Sequence, residues 1–172
     1  MLSNYEKAVE LIKSHKDLIS FSSTCSEETI RKAEIMLGVK FPRDYAEHLK
    51  NFGGVDFGGV RICGIGFNDL SRSDMIYWTL DERNNWGMPK NLIIIHEFGY
   101  GTRDCLQINE EDPDKSPVVE YHDPDSPVRV LAPDFGTFLL DLVQEEIKYQ
   151  EEEKQKEAAK VPQEKMIQSE LF

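Results

Sequence analysis

Residues 24–54 read TCSEETIRKAEIMLGVKFPRDYAEHLKNFGG, and the punctuation of this stretch decides the fold. Thr24 to Ser26 offer hydroxyls that cap a helix start, and Glu27 and Glu28 follow where the positive end of a helix favours acid. Ile30, Ala33 and Leu37 then fall on one face, and Gly38 stands one step past the helix end, where glycine commonly adopts the left-handed conformation. Pro42 sits where a second helix can begin. Tyr45, Leu49 and Phe52 repeat at i, i+4 and i+7 before Gly53-Gly54. The stretch predicts two short helices joined by a tight turn.

Upstream, Tyr5, Val9 and Ile12 recur at helical spacing among Glu6, Lys7, Glu10 and Lys13, giving an amphipathic helix, with Ile19 and Phe21 leading into the next segment. Downstream, the period changes at Val55 and Phe57. Val60 to Ile65 alternates apolar with other residues between glycines and predicts a half-buried strand. Asp74 to Trp86 fits either a short helix or an irregular segment, because its apolar residues follow neither period. Asn91 to Phe98 is short, continuous in its apolar run and rich in β-branched residues, as a central strand is.

Cys105 to Ile108, Val118 to His122 and Val128 to Leu131 are three further strands. The connections between them are rich in Asp, Pro, Ser and Glu and too short for parallel crossovers, so the strands form an antiparallel meander. Along Val118 to His122, alternation puts Val119 and Tyr121 on one face and Glu120 on the other. Asp134 is an N-cap for the clearest helix in the chain, striped by Phe135, Phe138, Leu139, Leu142, Val143 and Ile147. Beyond Tyr149 the stripe stops. Glu151 to Lys160 is almost entirely Glu, Lys, Gln and Ala, which predicts a solvated helical extension or a disordered tail. Met166-Ile167 and Leu171-Phe172 read as a sticky terminal motif or a frayed end. The expected fold is therefore α+β: a largely antiparallel sheet of five to six strands with helices on one side, in a single domain over residues 1–150, and a charged extension over 151–172.

The order of these signals resembles the SUKH superfamily, a group of bacterial toxin-immunity proteins that also includes a fungal cell-wall-synthesis regulator. Its most specific part is Glu28 to Gly54, with Ile30, the Ala33-Glu34 to Leu37-Gly38 close, Phe41-Pro42-Arg43-Asp44-Tyr45, Leu49 and Phe52-Gly53-Gly54. Gly99 to Asp104, Pro117 to Tyr121 and Ala132 to Phe135 are weaker matches, and together they extend the likeness over roughly residues 24–145. The resemblance implies an immunity or protein-interaction role. The signature residues themselves have sufficient structural reasons, and a fold does not by itself fix a function.

Composition narrows the classes. At 172 residues with a net charge of −12, the chain lacks the basic footprint that nucleic acid or an anionic membrane requires, so direct binding to either is not expected. No apolar run approaches the roughly 20 residues that cross a bilayer, and the first residues lack the basic head and apolar stretch of a signal peptide, which points to the cytoplasm. Cys25, Cys63 and Cys105 show no CxxC spacing and read as reduced, half-buried thiols. His15, His48, His96 and His122 are scattered without metal-ligand spacing, and no GxSxG elbow or phosphate loop is present, so neither a catalytic residue nor a metal or cofactor is expected.

What remains is binding. Acid is dense between the central strand and the last helix: Glu97, Asp104, Glu110, Glu111, Asp112, Asp114, Glu120, Asp123 and Asp125, opposed by Arg103, Lys115 and Arg129. Gathered along one edge of the meander, these groups would face a basic protein, such as a nuclease toxin whose own site must be positive to hold phosphate. Tyr77, Trp78, Trp86 and Tyr100 are candidate aromatic anchors. The residues expected to bind the partner are Trp78, Glu97, Tyr100, Asp104, Glu120 and Asp123. Which toxin they would meet, and whether the chain associates with itself, is not written in the sequence.

Overall fold

Helix α1 (Asn4–Ser14) starts on a capping box: Ser3 Oγ accepts from the Glu6 amide while Glu6 Oε2 accepts from the Ser3 amide at 2.7 Å, satisfying two donors that a helix start leaves orphaned. The structure is a computed structural model; it describes residues 1–66, 74–98 and 101–170, with side chains described for all of these except 21, 97, 98 and 161–170. After a single 3₁₀ turn over Lys16–Leu18, strand β1 (Ile19–Ser23) leads to α2 (Glu27–Leu37) and α3 (Arg43–Asn51).

These two helices are the pair expected from residues 24–54. Ser26 Oγ accepts from the Thr29 amide at the start of α2, and Gly38 closes it at φ 68°. The turn has a support that periodicity could not reveal. Glu34 Oε1 accepts the Phe41 amide at 2.8 Å, and its other oxygen pairs with Lys40, so the turn backbone is held by a side chain from the preceding helix. At the end of α3, Gly53 has φ 65°, and a Cβ there would lie 1.5 Å from the Ser23 carbonyl oxygen. Close passage of β1 and left-handed backbone together require glycine.

The remaining elements are β2 (Gly54–Phe57), β3 (Val60–Ile62), α4 (Met75–Trp86), β4 (Leu92–Phe98), β5 (Thr102–Gln107), β6 (Val118–Tyr121), β7 (Arg129–Ala132) and α5 (Phe135–Glu170). All strand pairs are antiparallel, as the short connections require. The architecture is α+β, but the strands do not form one sheet of five to six. Among the described residues there are seven, ordered β1-β2-β3 in one sheet and β4-β5-β6-β7 in another. Two strands go beyond the five read from the sequence: β1, whose Ile19 and Phe21 read as a lead-in, and β2, where the change of period at Val55 and Phe57 marks a separate strand. The sheets meet where the Cys63 amide donates to the Ile95 carbonyl at 2.8 Å, just beyond the three-residue β3.

The main core lies between the sheets and the layer of α1, α2, α3 and α5. Ile12, Leu37, Tyr45, Leu49, Ile95, Leu106, Val118, Phe135 and Leu139 are all buried in it. The second sheet also buries its opposite face. Leu92, Ile94, Cys105, Val119 and Tyr121 form a smaller apolar cluster with Met88, against which Trp78 and Val128 pack. Helices are therefore not confined to one side: α4 runs along β4, where Thr79 Oγ1 accepts the Ile94 amide at 3.1 Å. Met75 and Ile76 enter the main core while Trp78 covers the second cluster, so α4 has no single apolar stripe.

Asp134 caps α5 by accepting the Thr137 amide at 2.7 Å, and the helix continues unbroken to Glu170. Its last core residue is Ile147; residues 151–160 are exposed apart from a half-buried Glu153. Leu171 and Phe172 lie outside the described residues, as do the side chains of Met166 and Ile167. Among the described residues no helix is long and apolar enough to cross a membrane.

Candidate protein-interaction groove

Tyr121 of the second apolar cluster, and Trp78 packed against it, line a surface groove of about 370 Å³. One wall is α4. Asp74 Oδ1 accepts the Ile76 and Tyr77 amides, fixing the first turn. From that start, Trp78, Glu82 and Trp86 recur at i, i+4 and i+8, one above another along a single face. Trp78 is half-buried, whereas Trp86 is 66% exposed. The other wall is the end of β6 and the turn that follows it, contributing Tyr121, His122, Asp123 and Pro124.

Charge in the groove is sorted. The Arg103 guanidinium, from β5, donates to buried Glu82 Oε1 and to the Gly101 carbonyl. Asp81 accepts from Asn85 Nδ2 at 2.8 Å, one turn along α4. Asp123 accepts from the Asp125 and Ser126 amides and from the Ser126 hydroxyl, and these bonds, led by the hydroxyl, hold its carboxyl below the usual range. Burial pushes the Tyr121 phenol up, so it stays neutral. The surplus charge of the groove is therefore the negative charge of Asp81 and Asp123, beside two indole faces. Such a site suits a cation with a planar or apolar body.

Of the residues expected to bind a partner, the structure brings Trp78 and Asp123 together here. Asp104 is elsewhere: it is 1% exposed and accepts from His96 Nδ1 at 2.9 Å on the main-core face of the sheet, where His96 meets Phe138. Alternation along β5 turns Asp104 inward with Leu106, so its charge is withdrawn from the surface. Glu120 lies opposite Asp104 in the β5–β6 register and takes Arg129 in a two-pronged pair at 3.1 and 2.9 Å, with His122 at 3.3 Å. Tyr100 and the side chain of Glu97 lie outside the described residues.

The acids do not crowd one edge. The antiparallel meander sends Glu110, Glu111, Asp112 and Asp114 to the β5–β6 end of the sheet and Asp123 and Asp125 to the opposite end, at the β6–β7 turn. Asp114 there accepts the Arg43 amide at 2.7 Å and Asp112 pairs with Lys115. The sequence reading had Trp86 among its aromatic candidates but missed Asp81, Glu82, Arg103 and Tyr121. The spacing of Trp78, Glu82 and Trp86 was the available signal for one wall, once α4 is read as a helix.

Among the described residues no three His, Cys, Asp or Glu side chains gather as a metal site. None of the three cysteines is in a disulfide; Cys63 and Cys105 are buried and Cys25 is half-buried. No curated protein matches the chain. A family model does: SUKH_5, described as SMI1-KNR4 cell-wall, matches residues 5–144. That span takes in every element from α1 to the apolar half of α5, and the family fits immunity and regulatory roles in general. The helix pair at residues 27–51, the antiparallel meander and this match together place the chain in the SUKH superfamily, within its SMI1-KNR4 family.

Proposed function

We propose that this chain is an immunity protein that binds a cognate protein toxin domain, a basic nuclease, and neutralises it in the cytoplasm without catalysing a reaction itself. The observation that carries this reading is the groove beside α4, where exposed Trp86 and half-buried Trp78 stand next to the carboxylates of Asp81 and Asp123, neither of which is paired with Lys or Arg among the described residues. Aromatic anchors supply contact area that loses water on binding, and carboxylates at the rim steer a positive partner and raise its on-rate. A nuclease surface is positive because it must hold phosphates, so an acidic protein with net charge −12 meets it with complementary field.

Co-expression with the toxin encoded beside it tests the reading: cells survive, and the purified pair forms a complex whose association slows as salt rises. No survival together with no complex disposes of it. A second reading has one observation in its favour. Helix α5 continues to Glu170, and past its last core residue it is charged and largely exposed over residues 151–160, which suits a scaffold that holds an endogenous regulatory partner.

A further inference from the structure

Two polar atoms of the groove walls have no hydrogen-bond partner among the described residues: the Tyr121 hydroxyl and the Trp78 indole N–H. Tyr121 is 2% exposed, and both residues line the groove. Leaving a buried donor unmet costs about 1–3 kcal/mol, a cost that a purely structural site avoids by placing Phe or Leu instead. The indole N–H can only donate, so what it lacks is an acceptor. Asp81 and Asp123, also on the walls, form no ion pair with Lys or Arg among the described residues, because the groove's Arg103 is already taken by Glu82; His122, beside Asp123 in the lining, is the other basic group there.

We infer that the groove is a socket for one arginine residue of the partner, its guanidinium held by Asp81 and Asp123 against the Trp86 ring and its main-chain carbonyl accepting from Trp78 N–H and Tyr121 O–H. This deepens the immunity reading and rests on it. Arginine fits better than lysine because a planar guanidinium stacks on indole and meets carboxylates through two prongs. Both orphan atoms are buried, so filling the socket requires a side-chain shift. Trp86, the most exposed aromatic side chain of the walls, is placed to make it.

The probe is N-acetyl-arginine methylamide, which carries one guanidinium and peptide carbonyls, titrated into the full chain while the indole N–H resonances are followed by NMR. Trp78 N–H is expected to shift, and the neutral citrulline analogue, with the same shape, to bind at least about tenfold more weakly. Tyr121→Phe should weaken the probe about threefold to fivefold while raising thermal stability, since it removes a buried hydroxyl that had no partner. The double variant D81N/D123N should weaken it roughly tenfold or more and needs no core rearrangement. An unmoved Trp78 resonance, equal binding of citrulline, or indifference to both variants overturns the socket. The toxin complex separates the two claims. If it forms and ignores these substitutions, the socket falls and the immunity reading stands; if the probe binds as expected but no toxin complex forms, the socket stands and the immunity reading falls.

Discussion

At the scale of single residues, the chain contains groups whose worth comes from what surrounds them. His48 is one: it is fully buried in α3, with rings of Phe52 and Phe135 at centroid distances of 5.5 and 5.2 Å. Burial, opposed only in part by a hydrogen bond to the Gly53 backbone, pushes its pKa from 6.5 down to about 3. Between those two values the unfolded chain binds a proton that the folded protein refuses. Stability from this group is complete above about pH 6.5 and falls as pH drops toward 3, by about 1.4 kcal/mol per unit. Urea unfolding at pH 7 and pH 5 should show the native protein losing about 2 kcal/mol more than His48→Leu, which has nothing to protonate there. A difference between the two proteins that does not change with pH would remove the histidine from the account. The sequence placed His48 beside Leu49 on a helix but could not say that α5 would close over it. Gly53 was legible as a helix end; the Ser23 carbonyl pressed against it was not.

At the scale of elements, α4 and Arg83 show why one segment resisted reading. Amphipathic helices declare themselves because one face is wet, and α4 lies between two apolar clusters with Glu82 buried as well. The same helix carries the strap that ties three elements together. Arg83 Nη1 donates to the Leu37 carbonyl at the end of α2, and Nη2 donates to the Lys90 and Leu92 carbonyls at the start of β4. The Leu37 carbonyl belongs to a helix end that would otherwise lack a donor. A lysine has one ammonium and reaches one of these sites at a time. Arg83→Lys should therefore lower stability by about 2 kcal/mol in thermal or urea unfolding while the circular dichroism of the folded state is kept. An unchanged midpoint would mean the strap is ornamental. Nothing in the sequence marks Arg83, because its three partners are backbone carbonyls brought in by other elements.

At the scale of the whole molecule, the question is what lies outside the packed body. Past Ile147, α5 buries no apolar residue through position 160, and its link back to α1's neighbourhood is an exposed pair between Lys154 and Asp17 at 3.8 Å. Deleting residues 151–172 should change stability by less than about 1 kcal/mol, and on the immunity reading leaves toxin binding intact. Binding lost with stability kept would move the weight to the scaffold reading. The sequence by itself determined the helix pair at residues 27–51, the antiparallel order of the late strands, the capped final helix and the absence of a basic footprint. Those are properties of nearest neighbours, of period and of summed charge, and a linear chain displays them. Only the tertiary structure decided that the strands part into two sheets, that Asp104 turns inward to His96 while Asp123 stays outside, and that the acids divide between two ends. Each of these depends on which face of a strand meets which helix, a choice made when residues distant along the chain compete for the same core.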